Sequence, residues 1–401
     1  MIVLSGASLV LPDRILSPGT LVVDGDRIAE IRADAPAGGH SHSLFAFHGH
    51  YIVPGFIDVH VHGVEGFDSL DGGDAIASIA ERLPRFGVTA FCPTTVACEP
   101  AALRGVLDQV RRARETRVAS RARVLAAHLE SNFINPEYAG AQPRTCLRSP
   151  RSASLSGERF SGADVLTEIE RAAPDVGIVT VAPEVDGVMD LIPWLVSRGQ
   201  RVSLGHSAAT FDEATAAIAA GARHATHLFN RMPPLHHRAP GLAGAVLQAE
   251  EVAAEIICDG FHVHPALVRM AIAAKTPSRL FAITDATSVA GMAIGSRGRL
   301  GGQDITAGES TALLADGTLA GSTLTMDRAF RMLVDNGVPV VDAATMCSTT
   351  AARELGLVGH GILKEEAVAD LVVLDSNFAV VQTYIAGQLV YSRNTAVPAS
   401  V

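Results

Sequence analysis

A chain of 401 residues is too long for one small core and suits a barrel-sized domain with an appendage. Hydrophobic residues make up 48% of it against 18% charged, and aromatics only 5%, a balance that fits closely packed α/β layers better than an all-β sandwich. The net charge of −10, without any dense Lys/Arg cluster, argues against nucleic acid or an anionic membrane as the main partner, although a local pair of arginines would suffice for an anionic small molecule. The five cysteines (Cys92, Cys98, Cys146, Cys258, Cys347) form no C-x-x-C pair, as expected of a reduced cytoplasmic chain. The opening MIVLSGASLVLPDRIL lacks a basic region before its apolar run and is too short and broken to cross a bilayer, so it reads as a strand.

Residues 1 to about 53 read as β, with LVVDGDRIAEI a hairpin turning at Asp24-Gly25. The end of the chain mirrors this: ADLVVLD, then VVQTYIAGQLVYS turning at Ala386-Gly387. Between them strands and helices alternate. The predicted fold class is therefore α/β: residues 54–357 as a (β/α)8 TIM-like barrel, with 1–53 and 358–401 meeting in one small β-sandwich domain.

The barrel opens with YIVPGFIDVHVHG. At a period of two, Asp58, His60 and His62 share one face of the strand, so the two histidines can reach one ion; a lone H-x-H is weak evidence, strengthened here by its place at the first barrel strand. VTAFCPTTV (88–96) predicts the second strand and Glu99–Thr116 a helix, whose Arg111, Arg112 and Arg114 are most simply a solvated face. RVLAAHLE sets Glu130 at a strand end, where it could join a metal or equally be a surface or capping carboxylate; His128, two residues earlier, reads as structural. Residues 142–162, rich in Ser and Arg, predict a long loop that could serve as a lid, with Arg144, Arg148, Arg151 and Arg159 facing substrate or water.

GIVTVAPE reads as a strand ending in Glu184, and LGHSAATFDEATAAIAAGARHATHLFN as a strand, helix, strand unit. His206 and His227 close its two strands, either as zinc ligands over one barrel mouth or as buried histidines bonded to backbone. AAEIICDGFHVHP ends in a second H-x-H, His262 and His264. FAITDATSVAG sets Asp285 at a strand end, suited to take a proton from an attacking water and hand it to a leaving amine, or to cap the next turn. LLADGTLAGSTLTM predicts a hairpin leading to a helix from Met326.

In this order, the H-x-H after PGFID, then HLE, LGHS, THLFN-x-M, HHRAPG, DG-x-H and TDA resemble the amidohydrolase superfamily. THLFN-x-MPPLHHRAPG and LAGSTLTM resemble more narrowly its N-acetylglucosamine-6-phosphate deacetylase branch. The resemblance implies that Glu130, His206 and His227 hold a principal divalent metal, zinc first and iron or another divalent ion next. His60 and His62 match the pair that holds a second metal, with Glu130 able to bridge. It implies Asp285 as general acid/base and His262 as the group that contacts the sugar and helps polarise the amide carbonyl. Asn230 and Arg238 match phosphate contacts, the arginine often coming from a neighbouring subunit, which implies a homodimer.

Three departures bear on substrate: Ser131-Asn132 replaces Gly-Pro after the ligand glutamate, Gln142 replaces a histidine implicated in phosphate binding, and the following loop is longer. Phosphate recognition would then be rebuilt from Arg231 or the loop arginines. The expected activity is metal-dependent deacetylation of an N-acetylhexosamine 6-phosphate, N-acetylglucosamine 6-phosphate first. The alternatives are an unphosphorylated N-acetyl sugar or other N-acyl amine, and a non-catalytic oligomeric scaffold, which the intact ligand positions and Asp285 disfavour.

Overall fold

Eight short runs of apolar residues become eight parallel strands: β1 (Phe56–Val61), β2 (Val88–Thr95), β3 (Ala127–Glu130), β4 (Val176–Val181), β5 (Arg201–Leu204), β6 (His224–Ala225), β7 (Ala253–Ile257) and β8 (Leu280–Ile283). The computed structural model describes residues 1–33, 43–116, 118–152 and 159–393. Neighbouring strands pair in parallel from β1 through β8, as in Ile57↔Ala90, Leu129↔Thr95 and Ile257↔Ile283. The ring closes where the Asp285 N–H donates to the His60 carbonyl (3.0 Å) and Val61 bridges Ala286 in parallel. Helices cover the strands from outside, so β1, β2, β3, β7 and β8 are buried along their whole length.

Local chemistry fixes the helix starts. Pro100 and Pro265 open the helices Pro100–Glu115 and Pro265–Lys275 at the position where no N–H is needed. Thr210 and Glu213 form a reciprocal capping box at the start of Phe211–Ala219.

Strands from both ends of the chain meet in one mixed eight-stranded sheet, ordered 388–392, 380–385, 371–374, 51–54, 2–10, 15–24, 27–32, with 43–46 also paired to 2–10. Leu4, Leu21, Ile28, Ile52, Leu371 and Tyr384 form its separate core. At the last hairpin Ala386 (φ 48°) and Gly387 (φ 75°) take the positive angles that a tight two-residue turn requires. The first hairpin turns one residue later than expected: Asp24 pairs with Arg27, leaving Gly25 (φ 60°) and Asp26 as the turn.

Two expectations about arginines change. Arg111 and Arg114 are not merely solvated, because both reach Asp175, at 3.0 and 2.5 Å, at the end of the barrel where the strands begin. In the 142–162 loop, of which residues 153–158 lie outside the described residues, Arg148 donates to the Phe160 and Leu147 carbonyls, Arg151 pairs with Asp186 and Asp190, and Arg159 with Glu99. Three of the four loop arginines are thus engaged by their own chain. Among the described residues no helix is long and apolar enough to cross a membrane.

Candidate active site

The residues at the C-terminal ends of the barrel strands leave regular β geometry abruptly. His206 (φ 48°), His227 (φ 29°) and Asp285 (φ 51°) all adopt left-handed backbone conformations, each costing on the order of 1–3 kcal/mol for a residue with a Cβ. The turns aim their side chains back over the barrel axis.

Glu130, His206 and His227 converge there. Glu130 Oε1 lies 2.8 Å from His206 Nε2 and 2.9 Å from His227 Nε2, and the two ring nitrogens are 3.0 Å apart. Beside them, His60 Nε2 and His62 Nε2 stand 3.2 Å apart, with Asp285 Oδ1 at 3.3 and 3.2 Å. Glu130 lies between the sets, its Oε2 3.5 Å from His62 Nε2. All six side chains are buried.

Each group of three has the donor types and spacing for a cation. Donors 2.0–2.1 Å from a tetrahedral zinc lie roughly 3.3 Å apart. Facing lone pairs of two imidazoles repel unless a proton or a cation sits between them. His206 Nδ1 donates to the Tyr138 carbonyl (2.8 Å), so in the neutral ring Nε2 carries the lone pair that faces Glu130. His62 Nδ1 and His227 Nδ1 have no hydrogen-bond partner among the described residues.

Ionisation follows the geometry. Burial alone would raise the Glu130 pKa, but His206, His227 and His60 hold it well below the usual carboxylate range. Burial likewise opposes ionisation of Asp285, and His60 and His62 bring its pKa below the ordinary value. Burial works to lower His60, yet the Glu255, Asp285 and Glu130 carboxylates lift it to about 10.

The second H-x-H behaves differently, because it follows β7 instead of lying on a strand. His262 Nδ1 donates to Asp259 (2.6 Å), while His264 turns away to cap the helix Pro265–Lys275, accepting from the Ala266 N–H. His128 Nδ1 donates to the Val59 carbonyl (3.0 Å) and its Nε2 meets Thr180 (2.8 Å). Gln142 is buried against the ligand set: its amide nitrogen donates to Glu130 Oε2 and its oxygen accepts from the Ala97 N–H (2.7 Å). Asn230 is half-buried after β6, Arg231 packs beside Gly140, and Arg238 is exposed and bonded to His237 (2.8 Å). Glu184 ties the loops together by accepting from Asn135, Ser207 and the Ala208 N–H.

Sequence reasoning missed Glu255, and gave no role to Asp58, which it placed on the face of His60 and His62, or to Asp259 of the DG-x-H motif. Glu255 is wholly buried beneath the histidines; a single carboxylate inside the apolar strand AAEII was the available signal. Asp58 accepts from the Thr284 hydroxyl (2.6 Å), and burial pushes its pKa up to about 7 against that bond.

Residues 51–390 match the amidohydrolase family. The chain is 33% identical over 394 residues to an N-acetylglucosamine-6-phosphate deacetylase of Bacillus subtilis, covering 97% of each protein. It is 37% identical over 341 residues to an N-acetylgalactosamine-6-phosphate deacetylase of Escherichia coli, covering 84% of this chain and 87% of that one. A mutant of the Mycobacterium smegmatis N-acetyl-D-glucosamine-6-phosphate deacetylase, solved in complex with N-acetyl-D-glucosamine-6-phosphate, matches 98% of this chain and 99% of its own, with a TM-score of 0.87 and 32% identity. The chain belongs to the amidohydrolase family.

Proposed function

We propose that this protein is a metal-dependent deacetylase that hydrolyses the N-acetyl group of an N-acetylhexosamine 6-phosphate, N-acetylglucosamine 6-phosphate first among them, to acetate and the amino sugar phosphate. The observation that carries this reading is the convergence of Glu130, His206 and His227 beside His60, His62 and Asp285 at one barrel mouth. The named substrates of the relatives support the choice of sugar.

Glu130, His206 and His227 would hold one divalent cation, zinc first and iron next, and His60 with His62 a second. A divalent cation supplies Lewis acidity toward a water and toward the amide carbonyl oxygen. Asp285, with its Oδ1 3.3 and 3.2 Å from His60 Nε2 and His62 Nε2, takes the proton of the attacking water and delivers it to the departing nitrogen. His262 addresses the acetamide and the sugar, its ring orientation fixed by Asp259. The Gln142 amide is already committed to Glu130 and Ala97, so phosphate recognition falls to Asn230, Arg231 and Arg238. Arg238 lies in one exposed stretch, residues 234–239, with Leu235 (45% exposed), which supports its contribution across a homodimer. Five free cysteines support a cytoplasmic location.

Acetate release from N-acetylglucosamine and N-acetylgalactosamine, each with and without the 6-phosphate, tests the reading. Turnover only with the phosphate is expected. Equal turnover without it moves the substrate to a free N-acetyl sugar, and no release from any metal-reconstituted sample refutes the deacetylase reading.

A further inference from the structure

We infer that Glu255 is a positioning residue that orients His60 toward a second divalent cation; the inference rests on the metal-centre reading above. Glu255 sits in the middle of β7, the one polar residue in Ala253–Ile257, with no exposure to solvent. A carboxylate so placed is tolerated only when its oxygens are engaged by donors. Here Oε2 accepts from His60 Nδ1 (2.9 Å) and from the His227 N–H (3.2 Å), while Oε1 accepts from His224 Nε2 (2.8 Å).

The consequence lies on the far side of the His60 ring. A neutral imidazole that donates through Nδ1 presents a bare lone pair at Nε2. That atom faces His62 Nε2 at 3.2 Å and Asp285 Oδ1 at 3.3 Å, where the second cation would lie. Once a cation displaces the Nε2 proton of the metal-free ring, Glu255 thereby leaves His60 in the tautomer that can ligate and holds the ring plane. A carboxylate that served only to balance buried charge would stabilise the fold without discriminating between the two subsites.

Metal-free wild type and Glu255→Gln, which preserves shape, are titrated with cobalt(II), followed by its visible absorption and by metal analysis after gel filtration. The expected result is two equivalents in the wild type. In E255Q the first equivalent is held as before and the second is weakened by about 10–100-fold. The inference is overturned if the wild type takes one equivalent only, if E255Q binds both as the wild type does, or if both equivalents weaken alike. If E255Q does not fold, Glu255→Asp, whose shorter side chain withdraws from His60, decides by the same comparison. Absence of cobalt binding in every protein, wild type included, overturns the metal-centre reading itself.

Discussion

Replacing Asp285 by Asn separates proton transfer from metal holding. The amide has the shape of the carboxylate and can still accept a hydrogen bond, but it cannot take a proton at neutral pH. Asp285 belongs to the His60 and His62 set, 3.2–3.3 Å from their Nε2 atoms, whereas Glu130, His206 and His227 form their own close contacts at 2.8–3.0 Å. Asp285→Asn therefore retains the cation held by those three. General acid/base assistance is worth roughly a hundredfold to ten-thousandfold, or about 3–5 kcal/mol of barrier at 1.36 kcal/mol per decade. The loss should appear in kcat with little change in KM, because the residues assigned to the sugar and its phosphate are untouched. Acetate release by protein of measured metal content provides the assay. A metal-loaded Asp285→Asn enzyme within about tenfold of wild-type kcat would remove Asp285 from proton transfer.

Three further outcomes are expected. Chelation lowers the thermal midpoint of the wild type, and His206→Ala, which opens the set around Glu130 and leaves that of His60 and His62, shrinks that difference; scanning calorimetry with and without chelator reads both. In metal-free protein the Asp58 carboxyl, raised by burial to about 7, binds a proton in the folded state that the unfolded chain has already lost, so stability falls as pH rises from about 4 through 7. Asp58→Asn lacks this term, so chemical denaturation should show the variant gaining roughly 3 kcal/mol on the wild type between pH 5 and pH 8. Asp259→Asn frees the His262 ring from its 2.6 Å contact and should cost about an order of magnitude or more in kcat, with the metal content of the enzyme unchanged.

The barrel was legible because buried parallel strands read as unbroken apolar runs, and because ligands at strand ends punctuate those runs. The first H-x-H could be understood from periodicity, since His60 lies on β1 and His62 directly follows its last residue, so the two-residue alternation still brings both side chains to one face. The same spacing at His262 and His264 gave no pair, because a loop and a helix start have no period of two, and each histidine follows its own local partner. Gln142 could not be located from sequence. It lies in a turned segment of short-range hydrogen bonds, such as the Gln142 N–H to the Ala139 carbonyl, and these fold it onto Glu130. Arg111 and Arg114 looked solvated because their partner, Asp175, is about 60 residues away and comes close only when the barrel closes. Glu255 needed only the question of why an apolar strand contains one carboxylate, and the answer depended on histidines from two other segments.

The central claim is that Glu130, His206 and His227 grip one divalent cation. Anomalous diffraction from crystals of zinc-reconstituted protein, recorded at the zinc absorption edge, measures this directly. A peak is expected roughly 2.0–2.2 Å from Glu130 Oε1, His206 Nε2 and His227 Nε2. A fully reconstituted, active crystal with no peak at that point, or with its metal held elsewhere, would contradict it.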